Sequence, residues 1–203
     1  MPVPDTLDGV RIILVDDHNR RAAATESQLA ALGCKVLAVI PTGAGLLRQM
    51  SQHEPDVIII ALDSPDRDVL ESLSVVASHN PRPVAMFSGK GNSSFINEAI
   101  RSGVSAYQTQ DISPELVEAA IRVAIAQFDA FTSLKLELVE TQQKLDERKW
   151  IERAKGLLME RGEVSEREAF TVLRKAAMDR NCTLAEASKA YLELLERQQT
   201  GDC

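Results

Sequence analysis

Short apolar runs alternate with longer amphipathic stretches through the first half of the chain. The runs have strand length and predict β-strands at residues 10–15, 35–40, 56–62, 83–87 and 106–109. The stretches between them contain no internal proline and predict helices at residues 19–32, 45–52, 66–78 and 94–101. This alternation indicates an α/β domain with a five-stranded parallel sheet, in which functional groups gather at the carboxyl ends of the strands.

A single long helix is predicted after this domain. Ser113 and Pro114 suit its N-cap and first turn, no proline follows, and the first glycine is Gly156. Steps of four and three alternate over Val117, Ile121, Ala124, Phe128 and Phe131, and after one skipped step they resume over Leu134, Leu138, Thr141 and Leu145. We therefore expect a coiled-coil linker helix at residues 113–150 that forms a homodimer. The alternative is that this stripe packs back on the α/β domain.

A compact three-helix bundle is predicted at residues 148–200. Its first helix is the end of the long helix. Ser165 with Glu168, and Thr183 with Glu186, have the spacing of a capping box, in which each side chain bonds the backbone N–H of the other residue. The two boxes predict where the second and third helices begin.

Charge is distributed unevenly between these regions. The whole chain has a net charge of −7, but residues 148–197 carry 11 basic and 9 acidic residues, a net charge of +2. The remainder carries 12 basic and 21 acidic residues, a net charge of −9. A mildly basic module is compatible with phosphate binding, although on charge alone a bundle with mixed, solvated charges is the simpler interpretation.

Composition favours an ordinary soluble protein. With 203 residues, of which 44% are hydrophobic, the chain has room for one full domain and a smaller one. No apolar run approaches the ~20 residues that span a bilayer, and the first residues lack the pattern of a secretion signal. Cys34, Cys182 and Cys203 favour neither a disulfide framework nor a zinc site. We expect a cytoplasmic protein without membrane contact.

Polar residues at the predicted strand ends resemble those of the receiver domain of two-component response regulators. Asp16 and Asp17 follow the first strand, and Ser88 follows the fourth. The resemblance covers residues 8–128 and implies a flavodoxin-like fold. It also implies that an acidic pair holds magnesium, that an aspartate after the third strand accepts a phosphoryl group, and that a hydroxyl and a lysine bind the phosphate.

Two positions of this family pattern are substituted. Asp16 and Asp17 match the acidic pair, and Ser88 matches the hydroxyl position. Ala61, however, stands at the phosphoacceptor position, and Gln110 stands at the lysine position. Alanine has no oxygen to attack phosphorus, and glutamine supplies no cation. We therefore expect a pseudo-receiver that signals by protein contact rather than by phosphate.

Asp63 leaves an alternative open. It lies two residues beyond Ala61 and, on a continuing strand, points to the same face, so it could be a displaced phosphoacceptor. Otherwise these carboxylates merely end strands in a solvated loop. Asp16 and Asp17 could also hold Mg²⁺ weakly, and no other cofactor is expected.

The C-terminal bundle resembles the ANTAR domain, named for the AmiR and NasR transcription antitermination regulators. The matching residues are Ala154, Lys155, Gly156, Leu158, Met159, Glu168, Ala169, Phe170, Leu173, Arg174, Ala176, Met178, Leu184 and Ala187. The resemblance implies that a dimer binds two tandem RNA hairpins with hexanucleotide loops in an mRNA leader, which prevents a terminator from forming. The candidate RNA contacts are Arg153, Lys155, Gly156, Arg174 and Lys175. Base stacking would come from guanidinium planes or from Tyr191, Phe170 or Trp150, although Phe170 is expected in the core rather than at the RNA.

Residues 63–71 resemble the NasT-type regulators of nitrate assimilation. This resemblance implies that the target genes assimilate nitrate or nitrite. It further implies an inhibitory partner, a NasS-like nitrate sensor related to periplasmic binding proteins, which releases the regulator when nitrate or nitrite is present.

One alternative is a phosphorylation-dependent two-component response regulator that binds DNA. It would share the receiver domain but would need a phosphoacceptor and a DNA-reading helix. An enzyme is not expected, because His18, His53 and His79 are scattered and no nucleophile is placed with a base at triad-like intervals.

Overall fold

The computed structural model describes residues 6–65, 67–89, 91–109 and 112–200. Contacts divide the chain into two units, Met1–Ser133 and Leu134–Cys203. The described strands are β1 (Arg11–Asp16), β2 (Lys35–Ile40), β3 (Val57–Ala61), β4 (Val84–Phe87) and β5 (Ala106–Gln108). They form one parallel sheet in the order β2-β1-β3-β4-β5, which confirms the predicted α/β receiver-like fold.

Helices alternate with these strands and continue after the sheet. The described helices are α1 (Asn19–Ala31), α2 (Leu46–His53), α3 (Arg67–His79), α4 (Ser93–Arg101), α5 (Pro114–Gly162), α6 (Glu166–Asp179) and α7 (Leu184–Thr200). In the α/β domain, each end of a strand or helix agrees with its prediction to within one residue. The apolar periodicity of the sequence therefore reflects the observed burial.

Strand β3 lies at the centre of the sheet, between β1 and β4. All of its residues are buried, which explains its run of β-branched side chains without polar alternation. Val57, Ile59 and Ala61 contribute to the core beneath α1 and α5. Ile58 and Ile60 contribute to the opposite core, beneath α2, α3 and α4. The sheet is thus covered on both faces, and the carboxyl ends of its strands are left at one edge.

The predicted apolar stripe of α5 has two parts with different surroundings. Val117, Ile121 and Ala124 are buried in the core of the α/β unit, as the alternative of packing back on this domain implies. Farther along, the stripe is exposed: the exposed fractions are 69% for Phe131, 64% for Leu134, 68% for Leu138 and 51% for Leu145. Leu136 and Val139 are exposed as well, on other sides of the helix.

The end of α5 forms a bundle with α6 and α7. Ala154, Leu173 and Leu192 are buried at its centre. Both predicted capping boxes are present. Glu168 accepts a hydrogen bond from the Ser165 backbone at 2.9 Å, and Glu186 accepts one from the Thr183 backbone at 2.8 Å. In return, the two hydroxyls accept from the backbone N–H groups of the two glutamates at 3.4 and 3.2 Å.

Across the residues that the structure describes, no helix combines the length and the apolar character needed to cross a membrane.

Candidate functional site

The carboxyl ends of β1, β3 and β4 meet at one edge of the sheet. Asp16 ends β1 beside Ala61, which ends β3, and Ala61 is paired in turn with Phe87 at the end of β4. Ser88 follows Phe87 and, like Asp16, is buried. The fold therefore brings Asp16, Ala61 and Ser88 together at the position that the receiver resemblance implied.

Arg21, in the first turns of α1, reaches this edge and binds its acidic groups. Its Nε donates to both carboxylate oxygens of Asp16 at 3.1 Å. Its Nη2 donates to Oδ1 of Asp17 at 2.7 Å and to the carbonyl oxygen of Ala61 at 2.9 Å. Its Nη1 donates to Oδ1 of Asp63. A single guanidinium thus pairs with three carboxylates, which we call the acidic edge: Asp16, Asp17 and Asp63.

These contacts favour the charged forms of Arg21 and Asp63. Burial of Arg21 opposes its charged form, but hydrogen bonds to Asp16 and Asp63 more than compensate and raise its pKa. The hydrogen bond from Arg21 lowers the pKa of Asp63, and a second bond, from Nε2 of His18 at 3.0 Å, lowers it further. At neutral pH, Asp63 is therefore an ionised carboxylate held by two partners.

The resemblance to receiver domains aligns Ala61 with the phosphoacceptor position. Ala61 offers only a methyl group and is buried. The cavity that Ala61 lines together with Arg21, Asp63 and Ser88 measures about 20 Å³. That volume corresponds to roughly one water molecule. Gln110, at the family's lysine position, lies outside the described residues.

The second candidate site lies in the C-terminal bundle, where Lys155 is largely enclosed. Its side chain is 11% exposed, and its Nζ lies 2.7 Å from Glu166 and 3.0 Å from Glu152. Hydrogen bonds to Glu166 and then to Glu152 raise the pKa of Lys155. The role predicted for this ammonium is an RNA contact, whereas the structure places it between α5 and the first turn of α6.

Gly156 and Arg153 lie on the exposed side of the same helix. A Cβ atom built at Gly156 would meet no atom of the described residues within 4 Å. Tight packing within the chain therefore does not explain this glycine, although a helix-interior glycine costs about 0.5–1 kcal/mol relative to alanine. The bare backbone at Gly156 is accessible to a molecule outside the chain.

Helix α6 presents cations and apolar side chains to solvent. Arg174 and Lys175 are exposed, and neither side chain has a hydrogen-bond or ion-pair partner among the described residues. Phe170 and Met178 lie one turn before and one turn after Arg174, with exposed fractions of 41% and 72%. We call these three residues the α6 row. An open groove of about 550 Å³ lies beside the row, and Ala177, Cys182 and Leu184 also line it.

Two features were not predicted from the sequence, namely the role of Arg21 and the exposure of Phe170 and Met178 on either side of Arg174. Arg21 follows Asp17 by four residues, a spacing at which opposite charges pair, and this was the available signal. The expectation that Phe170 lies in the core was wrong, because Ala169 and Leu173 fill that side of α6.

Comparison with known families agrees with both units. The family model described as the response regulator receiver domain matches residues 12–122, more than half of the chain. The model of the ANTAR domain matches residues 140–190. The structure of the receiver domain of the response regulator NarL from Mycobacterium tuberculosis shares the fold. Its TM-score is 0.52 at 24% identity, over 58% of this chain and 97% of that chain.

Two relatives are transcriptional or nitrate regulators. The transcriptional regulatory protein PdtaR of Mycobacterium tuberculosis is 27% identical over 185 residues, 91% of this chain and 90% of that protein. The nitrate regulatory protein of Klebsiella oxytoca is 33% identical over 86 residues, 42% of this chain and 22% of that protein. The chain therefore belongs to the response regulator receiver family and joins its receiver domain to a C-terminal ANTAR domain.

Proposed function

We propose that this protein is an RNA-binding transcription antiterminator. Its ANTAR domain binds paired hexaloop hairpins in an mRNA leader in the cytoplasm, and RNA polymerase then reads through the terminator. The observation that carries the proposal is the α6 row beside an open groove. The ANTAR match and the relative PdtaR, a transcriptional regulatory protein, support it.

The α6 row has the chemistry that unpaired nucleotides require. Proteins read RNA loops by stacking bases on aromatic rings or guanidinium planes and by pairing phosphates with cations. Phe170 and Arg174 offer the stacking surfaces, and Lys175 offers a phosphate contact. Bases inside a duplex are already stacked on one another, so this surface suits a loop better than duplex DNA.

The candidate residues on α5 have two different roles in this proposal: some contact RNA, and one positions α6. Gly156 lets the RNA backbone approach the helix closely, with Arg153 one turn away on an exposed side. Lys155 does not contact RNA in the proposed complex, because its ammonium already binds Glu152 and Glu166. It positions α6 instead.

We further propose that the active form is a homodimer. The exposed part of the α5 stripe, from Phe131 to Leu145, supplies four large apolar side chains at coiled-coil spacing. Two copies joined there would present two ANTAR domains, which matches the two hairpins of the proposed leader.

Regulation in this proposal passes through protein contact with the receiver domain. Ala61 leaves no phosphoacceptor at the usual position, so we assign inhibition to a NasS-like nitrate sensor that sequesters the regulator. The assignment of nitrate or nitrite assimilation genes as targets draws on residues 63–71. It also draws on the similarity to the nitrate regulatory protein of Klebsiella oxytoca.

A gel-shift assay tests the function directly. The probe is a synthetic RNA with two tandem hexaloop hairpins, and the controls are the same RNA with scrambled loops and a duplex DNA of equal length. We expect the hairpin RNA to bind at least about tenfold more tightly than either control at physiological salt. Equal affinity for the three probes, or a preference for the duplex, would refute the proposal.

A further inference from the structure

The acidic edge of the receiver sheet already contains a cation from its own domain. The side chain of Asp16 is 0% exposed, and Arg21 bonds both of its oxygens. A buried carboxylate needs a paired cation, because an isolated buried charge is strongly disfavoured. Arg21 is only 22% exposed, so water screens this pair weakly.

A divalent cation of the kind that receiver domains hold does not fit beside this guanidinium. Mg²⁺ requires oxygen ligands at about 2.0–2.1 Å in nearly octahedral geometry. The candidate ligands are both oxygens of Asp16, Oδ1 of Asp17, Oδ1 of Asp63 and the carbonyl of Ala61, and all of them accept hydrogen bonds from Arg21. A metal ion would have to displace the guanidinium or lie against its positive charge.

We propose that Arg21 is a built-in replacement for the divalent cation and holds the receiver in one metal-free state. A planar guanidinium suits this role, since its fork of N–H donors reaches several carboxylates at once, which a lysine ammonium cannot reproduce. Removal of that guanidinium alone turns the acidic edge into a Mg²⁺ site formed by Asp16, Asp17 and Asp63.

His18 supports the arrangement from the loop between β1 and α1. Its backbone N–H donates to Oδ1 of Asp16 at 2.8 Å, and its Nε2 bonds Oδ2 of Asp63 at 3.0 Å. Asp17, His18 and Asp63 also place ligand atoms within 4.8 Å of one another on the surface. Because imidazole favours transition metals, a test with Mg²⁺ distinguishes the inner carboxylates from this outer group.

Isothermal titration of the full chain with MgCl₂ tests the proposal, with Arg21→Met and Arg20→Met as matched variants. Arg20 is the neighbouring exposed arginine, and its side chain has no partner among the described residues. We expect no saturable binding by the wild type or by Arg20→Met. Arg21→Met should bind Mg²⁺ at least about tenfold more tightly than either, and Mg²⁺ should restore its lowered Tm.

Several results would overturn the proposal. One is saturable Mg²⁺ binding by the wild type that Asp16→Asn abolishes, because cation and guanidinium would then coexist. Another is equal Mg²⁺ affinity of the wild type and Arg21→Met. Should Arg21→Met fail to fold, Arg21→Gln also removes the charge but keeps a polar side chain, and an absence of Mg²⁺ binding by that folded variant would count against the proposal.

Discussion

The Nζ of Lys155 lies 2.7 Å from the carboxylate of Glu166 and joins the end of α5 to the first turn of α6. The second partner of Lys155, Glu152, lies on α5 itself. The positive charge of Lys155, predicted to contact RNA, is therefore paired within the bundle. Lys155 therefore contributes to the stability of the ANTAR domain, whereas the α6 row forms its proposed recognition surface.

Lys155→Met should lower the Tm of the protein with little effect on recognition. The variant leaves Glu152 and Glu166 without their shared cation, so the bundle loses a contact between helices. We expect the RNA affinity of the folded protein to change by less than about threefold, since the α6 row stays intact. Thermal unfolding and gel shifts below the Tm measure the two effects. A normal Tm with lost RNA binding would instead make Lys155 an RNA contact.

Arg174→Ala and Lys175→Ala should weaken RNA binding without changing the fold. Loss of a stacking guanidinium at Arg174 should cost about 1–3 kcal/mol of binding free energy. Loss of Lys175 should cost less binding free energy. It should also make the fall of log affinity with log salt concentration less steep, by about one unit of slope. Arg101→Ala, an exposed arginine on α4 of the receiver, is the matched control. Equal effects of all three variants would indicate a non-specific charge effect.

The receiver should not become phosphorylated by small phosphodonors. Ala61 lacks an attacking oxygen, and the cavity beside it holds roughly one water molecule. Incubation of the chain with acetyl phosphate and Mg²⁺, followed by mass spectrometry of the intact protein, should show no added phosphoryl group. A label that disappears in Asp63→Asn would contradict this prediction and identify Asp63 as a displaced acceptor.

Leu138→Lys should impair binding to two hairpins more than binding to one. Leu138 is 68% exposed in the α5 stripe, and a charge there would oppose a coiled-coil contact with a second copy. The ratio of affinities for two-hairpin and single-hairpin RNA should fall at least about tenfold toward one. Gln143→Lys, on the opposite side of the helix, should leave the ratio unchanged. An unaltered ratio in Leu138→Lys would remove the stripe from the dimer.

Acid should weaken both capping boxes. Hydrogen bonds from the Ser165 hydroxyl and backbone lower the pKa of Glu168, and bonds from the Thr183 backbone and hydroxyl lower the pKa of Glu186. Because the folded-state pKa is the lower one, this stabilisation is complete above the ordinary glutamate pKa of about 4.3. It is lost as the pH falls through the folded-state value.

The variant Glu168→Gln isolates one of these boxes. At neutral pH, its Tm should lie below that of the wild type, and the difference should shrink as the pH falls below about 4. Circular dichroism at several pH values measures this. A difference in Tm that does not depend on pH would show that the ionised carboxylate is not what stabilises the helix start.

The sequence was a good guide wherever local rules decide the structure. Apolar periodicity located β1 to β5, and the spacing of Ser165 and Glu168 located the start of α6, because both patterns concern neighbouring positions. It was a poor guide to the partners of charged residues. Lys155 on α5 meets Glu166 on α6, and Arg21 meets Asp63 across the sheet edge. Such pairs depend on the folded geometry rather than on spacing.

The open surface at Gly156 has a consequence for engineering. Alanine in its place would raise helix propensity by about 1 kcal/mol and would clash with nothing described nearby. Selection for thermal stability would therefore favour Gly156→Ala. If RNA contacts the exposed backbone at Gly156, the more stable alanine variant would give no readthrough in a reporter assay. Replacing one hydrogen atom by a methyl group would then raise thermal stability at the expense of function.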